Sequence, residues 1–175
     1  MTRSRFSISV EIPAPPSLVW SVMADVERWP EWTASVSRVK RLTPGPLREG
    51  SRMRIHQPKL PPALWRVIEL KPDAGFTGVS KAPGVRVVAR HTVEPVDTGS
   101  RVTLSICYEG FLGPLLARWV GGMNDRYLAM EAAGLRTKCV ELLGKGPESI
   151  LLRQKHYGGQ GVQGPKSNVQ GRGKD

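Results

Sequence analysis

The chain has 175 residues and 39% hydrophobic content, room for one globular domain with its own core plus a tail, and too little for a protein built on apolar membrane spans. No window approaches the roughly 18–20 consecutive apolar residues of a membrane helix, and residues 1–9 lack the apolar stretch of a secretory signal, so a cytoplasmic protein is expected. The net charge of +11 suggests attraction to polyanions, while Cys107 and Cys139 are too few for a disulfide framework, make no C-x-x-C pair and are expected to be reduced.

Residues 5–12 alternate Phe6, Ile8, Val10 and Ile12 with Ser7, Ser9 and Glu11, the period of a half-buried strand. Pro13, Pro15 and Pro16 stop it and open a helix whose apolar residues Leu18, Val19, Val22, Met23, Val26 and Trp29 share one face, with Pro30 as its end. Trp32 lies just beyond, in a short segment expected to add a turn. Six more strands are predicted at 35–42, 51–57, 63–70, 75–81, 85–94 and 101–109, separated by Gly45-Pro46, Pro61-Pro62, Pro72-Asp73, Pro83-Gly84 and Asp97-Thr98-Gly99. With no helical pattern between them, they read as an antiparallel meander.

A long helix over 113–143 closes the domain. Leu116, Val120, Met123, Tyr127 and Met130 line one of its faces, and Leu128, Ala132, Leu135, Cys139 and Leu142 form a second stripe. The helix is therefore expected to change its buried side along its length, with Gly134 or Gly121-Gly122 as candidate bends. From Lys145 onward the composition turns to Gly, Gln, Ser and Lys, with six basic residues against Glu148 and Asp175. Residues 145–175 read as a basic, disordered, solubilising tail able at most to make a weak polyanion contact, and residues 1–144 as the domain.

A curved seven-stranded sheet crossed by a single long helix leaves a cavity between them. Alternation assigns its lining: Val85, Val87, Ala89, His91 and Val93 share one face of the sixth strand, Val102, Leu104, Ile106 and Tyr108 one face of the seventh, and Met53, Ile55 and Gln57 one face of the third.

Val19-Trp20, Ala24-Asp25-Val26-Glu27-Arg28-Trp29-Pro30-Glu31-Trp32 after a Pro-rich turn, Trp65-x-Val67, Phe76, Pro83-Gly84-Val85, His91-Thr92-Val93-Glu94-Pro95, Gly99-x-Arg101-Val102-Thr103-Leu104 and Arg126-Tyr127-Leu128-Ala129-Met130-Glu131 together resemble the START-like, or SRPBCC, superfamily, in particular its polyketide cyclase/dehydrase-like branch. The resemblance spans about residues 4–143. It implies an α+β helix-grip fold, a seven-stranded antiparallel sheet wrapped around a long C-terminal helix with two short helices after strand one, and a deep cavity for lipids, polyketides or other apolar small molecules. It does not fix a reaction, because the same cavity serves carriers, binders and aromatases or cyclases.

The expected lining is Trp32, Met53, Ile55, Trp65, Val67, Phe76, Gly78, Val87, Ala89, His91, Ile106, Tyr108, Val120, Met123 and Tyr127. Gly78 stands where the family often carries a bulky aromatic, so it either widens the pocket or marks a bulge. His91, an imidazole on an apolar strand face, either hydrogen-bonds a ligand and moves a proton or is satisfied by a neighbouring backbone or hydroxyl group. Tyr108 and Tyr127 offer hydroxyls that could orient a ligand, and His91 and Tyr108 are the weak catalytic candidates. His56, His91 and His156 fall on an outer strand face, an inner one and the tail, without metal-ligand spacing, so no metal is expected. No P-loop, dinucleotide fingerprint or G-x-S-x-G elbow occurs, and no cofactor is expected.

Binding of an apolar small molecule in this cavity is the first reading, and a cyclase, aromatase or dehydratase working without metal or nucleotide is the second. A nucleic-acid or anionic-membrane binder led by charge is the third, set back because no aromatic–basic pattern is visible along the chain, and no specific nucleic-acid partner is expected.

Overall fold

A computed structural model describes residues 4–146. All of the predicted tail beyond Gly146, His156 included, lies outside the described residues. Seven strands, β1 (Arg5–Ile12), β2 (Arg38–Arg41), β3 (Arg52–His56), β4 (Ala63–Lys71), β5 (Gly75–Ala82), β6 (Val85–Val96) and β7 (Gly99–Glu109), form one antiparallel sheet in the order β1-β7-β6-β5-β4-β3-β2. Helix α1 (Pro16–Ala24) and a 3-10 helix (Val26–Glu31) separate β1 from β2, and α2 (Gly113–Gly144) follows β7. The α+β architecture is the expected one, with β1 returning to pair with β7 in a register that sets Phe6 opposite Ile106 and Val10 opposite Val102.

The first helix differs from its predicted form. It ends at Ala24, Asp25 leaves helical geometry at φ −81° and ψ 64°, and the chain continues as the 3-10 helix with Pro30 inside. A proline this deep in an α-helix would clash with the preceding turn, and the tighter winding accommodates it. Trp29 donates its indole N–H to the Met23 carbonyl at 2.9 Å, capping an end that has no basic side chain to do so. Every α1 residue from Leu18 to Ala24 is buried, so the helix is buried all round, and Ser21 bonds back to the Leu18 carbonyl at 2.8 Å.

Helix α2 departs from the two-stripe expectation. Its buried residues are Gly113, Ala117, Val120, Asn124, Tyr127, Leu128, Ala132, Leu135, Cys139 and Leu142. Apart from the adjacent pair Tyr127 and Leu128, they succeed one another in steps of three and four, a single stripe along the whole helix. Met130 points to solvent at 37% exposure, and polar Asn124 takes a place on the stripe that hydropathy does not mark as buried. Gly134 is the point of closest approach: a Cβ there would lie 1.8 Å from the carbonyl oxygen of Trp32.

Burial divides the interior in two. Where α1 and the 3-10 helix are inserted between sheet and α2, the space is filled, with Leu18, Val22, Met23, Val93, Val102, Leu104, Leu135 and Cys139 all buried. Along the inner face of β6 the pattern then loosens, from buried His91 and Val93 to half-buried Val85, Val87 and Ala89. That other half is hollow.

Candidate functional site

The hollow half is a cavity of about 300 Å³, walled by the inner faces of β3 to β7 and by α2. Alternation places Met53 and Ile55 (β3), Trp65 and Val67 (β4), Phe76 and Gly78 (β5), Val87, Ala89 and His91 (β6) and Ile106 and Tyr108 (β7) on its wall, and α2 adds Val120 and Tyr127. Two expected members stand outside it. Met123 is about 100° round the helix from Asn124 and packs half-buried against the core, and Trp32 lies under Gly134 and edge-on to Trp29 at 6.0 Å between ring centres. Gly78 sits in regular register with Val67 and Ala89, and the irregularity is on the neighbouring strand, between Val67 and Glu69. A Cβ on Gly78 would meet the Trp65 ring at 3.5 Å, an ordinary contact, so a methyl group fits there and only a bulkier side chain would press on that indole.

The inner end of the cavity is built where hollow and filled halves meet. His91 stacks on Phe76, ring centres 4.6 Å apart and 12° from parallel, with Trp29 at 5.6 Å. His91 Nε2 lies 3.9 Å from Oε2 of Glu131, and its Nδ1 is buried without a protein partner. Glu131 is itself held: the Ser35 hydroxyl donates to its Oε1 at 2.8 Å, and Thr33 Oγ1 lies 2.9 Å from Ser35 Oγ, with the Ser35 backbone N–H donating to Thr33 Oγ1 at 3.3 Å. Because the Ser35 proton goes to the carboxylate, the Thr33 hydroxyl donates to Ser35, so a relay of two hydroxyls fixes the carboxylate that faces the imidazole. This relay also explains the late start of β2: residues 35–37, expected as strand, hold Glu131 and the edge of the sheet instead.

A second polar point lies two helical turns away along α2, about 10 Å by helix rise. The Tyr108 hydroxyl donates to Asn124 Oδ1 at 3.0 Å, which leaves Asn124 Nδ2 buried without a partner. Whichever way the amide is turned, one of its polar atoms has nothing from the protein to bind, and a group left so costs about 1–3 kcal/mol. Tyr127 presents its ring to the cavity but donates its hydroxyl to the Pro58 carbonyl, tying α2 to the β3–β4 loop.

Burial pushes the pKa of Tyr108 above the ordinary tyrosine value, and the bond to Asn124 pulls partly against it. The folded-state value lies above the unfolded one, so the stability tied to this group is whole below about pH 10 and is lost as pH rises through the folded value. An alkaline titration followed by tyrosinate absorbance is expected to show a late step that Tyr108→Phe removes. A Tyr108→Phe protein whose titration kept that step would place the buried phenol elsewhere.

Asn124, Glu131, Leu116, Trp119 and Leu128 on α2, with Trp29 and Ser80, also line the cavity and were not among the residues expected there. The 3.6-residue period placed Val120 and Tyr127 on the wall, and one turn from each along the same face lie Asn124 and Glu131, a signal that hydropathy alone passes over.

A family model described as polyketide cyclase / dehydrase and lipid transport matches residues 3–138, well over half of the chain. The chain belongs to that family. Among solved structures, the family member is similar to the Zhui aromatase/cyclase from Streptomyces sp. R1128, at 19% identity and a TM-score of 0.64 over 79% of this chain and 94% of the other. It is also similar to a protein from Thermus thermophilus, at 21% identity and a TM-score of 0.63 over 78% and 97%, and to a START superfamily protein from Mycobacterium smegmatis, at 16% identity and a TM-score of 0.61 over 79% and 98%. At these identities the likeness is one of fold, the helix-grip arrangement of the START-like superfamily. No curated protein matches the sequence. Among the described residues, no helix of this family member is long and apolar enough to cross a membrane.

Proposed function

We propose that the protein is a cytoplasmic binder of one apolar small molecule, a lipid, a polyketide or a compound of similar character, held between the sheet and α2. The observation that carries this reading is the cavity of about 300 Å³, lined mostly by apolar side chains, with Asn124 and the His91–Glu131 pair among its few polar groups. That size falls at the lower end of the roughly 300–1,000 Å³ of cavities that hold small molecules, and apolar burial at about 25 cal/mol per Å² supplies affinity while a few polar groups supply orientation. Asn124 and the His91–Glu131 pair, reached from positions two turns apart on α2, offer a ligand polar partners at two separate points of the wall. Saturable binding of one fluorescent apolar probe per chain, released by long-chain lipids or aromatic polyketides, is expected in titration. Native mass spectrometry of protein from its own cells would name the natural occupant, and a chain that binds no apolar probe at all would defeat the reading.

A cyclase or aromatase using the same cavity is the second reading, and the His91–Glu131–Ser35–Thr33 line favours it. A neutral imidazole at the inner end takes a proton from an activated carbon of the substrate, the facing carboxylate stabilises the imidazolium, and the same proton returns to the oxygen formed on ring closure. The walls confine a flexible chain in the reactive shape. Under this reading His91→Gln lowers turnover by about 10²- to 10⁴-fold, while probe affinity stays within roughly tenfold. Product formation by the His91→Gln protein at the wild-type rate would remove His91 as the base, and a wild-type protein that forms no cyclised product from a poly-β-ketone would leave only the carrier.

A further inference from the structure

The sequence set an anionic membrane surface aside for want of an aromatic–basic pattern. The fold assembles one from three separated segments, at the opening of the cavity. Trp119 lines the cavity and is nonetheless 78% exposed, and with it Pro61 of the β3–β4 loop and Ala82 beside the β5–β6 turn are both lining and exposed, so the cavity opens among these elements. Beside this opening Phe111 is 83% exposed and Leu115 68%. These are the large apolar side chains most exposed to water among the described residues.

The patch is held in place. The Leu112 backbone N–H donates to the Gly84 carbonyl at 3.0 Å, and a Cβ on Gly84, at φ +75°, would sit 2.7 Å from the Phe111 ring. Glycine there lets the β5–β6 turn lie directly beneath Phe111 and Leu112. Trp119 follows Leu115 by one helical turn on the same face of α2. Around them the charge is one-sided: Lys59, Lys81 and Arg118 are exposed and have no ion pair among the described residues, and the only carboxylate in these three segments, Glu109, is paired with Arg86.

We propose that this rim docks the protein on an anionic lipid surface, with Phe111, Leu115 and Trp119 entering the interfacial layer and Lys59, Lys81 and Arg118 meeting the acidic headgroups, so that the cavity opens toward the bilayer. Exposed apolar patches of this kind mark interaction sites, and aromatic side chains flanked by basic ones suit the membrane interface. Charge decides the occupant. A second copy would bring the same cations face to face, whereas an acidic surface neutralises them, with about fivefold in partitioning for each basic residue near it. The inference is independent of what the cavity holds.

The test uses the full chain, because its basic tail could also attract lipid. Co-sedimentation with phosphatidylcholine vesicles, with and without phosphatidylglycerol, is expected to show binding that needs the anionic lipid, and F111S/W119S is expected to weaken it by roughly 100-fold. Trp119→Phe keeps the partitioning within about threefold but removes most of the quenching of tryptophan emission by brominated lipid. Double-variant binding equal to that of the wild type would assign the attraction to the tail and overturn the proposal. So would quenching that survives Trp119→Phe, an absence of vesicle binding, or a wild-type dimer that F111S/W119S dissociates.

Discussion

Gly134→Ala is expected to lower the melting temperature by roughly 10 °C, while Gly122→Ala, on the same helix, raises it by a few degrees. Alanine is the better helix former at both positions, favoured over glycine by about 0.5–1 kcal/mol. At Gly122 nothing lies within 4 Å of the new methyl group, so that preference is expressed in full. At Gly134 the methyl group would lie 1.8 Å from the Trp32 carbonyl oxygen and 2.9 Å from its carbonyl carbon, both backbone atoms that no rotamer change can move. Either α2 withdraws from the sheet or the segment after the 3-10 helix is pushed aside, an overpacking cost of up to about 3 kcal/mol, which for a domain of this size is on the order of 10 °C. The displaced segment carries Thr33 and Ser35, so the variant is also expected to loosen the hydroxyl relay that holds Glu131. Thermal unfolding of both variants checks the opposite signs. Equal melting temperatures for Gly134→Ala and Gly122→Ala would mean that α2 does not rest on Trp32.

The strands were legible because their sequences alternate apolar and polar residues, an alternation that burial follows closely in β1 and β3, so period-two patterning carried the inner face of β6 and most of the wall. The α2 site residues were not, and the reason is chemical. Asn124 stands on the buried stripe of α2 and half-buried Glu131 beside it, both on the cavity wall, and these polar groups break the apolar periodicity by which a stripe is recognised. Met130, apolar yet exposed, counted toward a face that the fold does not bury. The Ser35–Glu131 bond joins residues 96 positions apart, and no local pattern announces it. The aromatic–basic rim escaped for the same reason, since its residues come from segments far apart in the chain, the β3–β4 loop, the end of β5 and the start of α2, which only the fold brings to the opening of the cavity. Helix α1 was found but misjudged, because a helix buried all round shows no polar face to mark its orientation.

Ala89→Trp is expected to weaken binding of an apolar probe by about 10- to 150-fold while leaving the protein folded. Ala89 lies at the middle of the inner face of β6, opposite Gly78 on β5 and Ile106 on β7, with its side chain on the cavity wall. An indole there has empty space to enter, unlike a methyl group at Gly134, so the substitution fills the hollow instead of forcing the layers apart. The probe loses the volume of roughly one large side chain and the burial that goes with it, about 1.5–3 kcal/mol, which gives the stated range of affinity. The same substitution at exposed Ala129 on α2 adds an indole without touching the cavity and is the control. Fluorescence titration of the two variants separates binding inside from adhesion outside: if Ala89→Trp binds the probe as tightly as Ala129→Trp, the ligand does not occupy the space between sheet and helix. If Ala89→Trp binds weakly but keeps a melting temperature at or above that of the wild type, the cavity is shown to be space that the protein maintains at the expense of its own stability, which is the physical signature of a site kept open for a ligand.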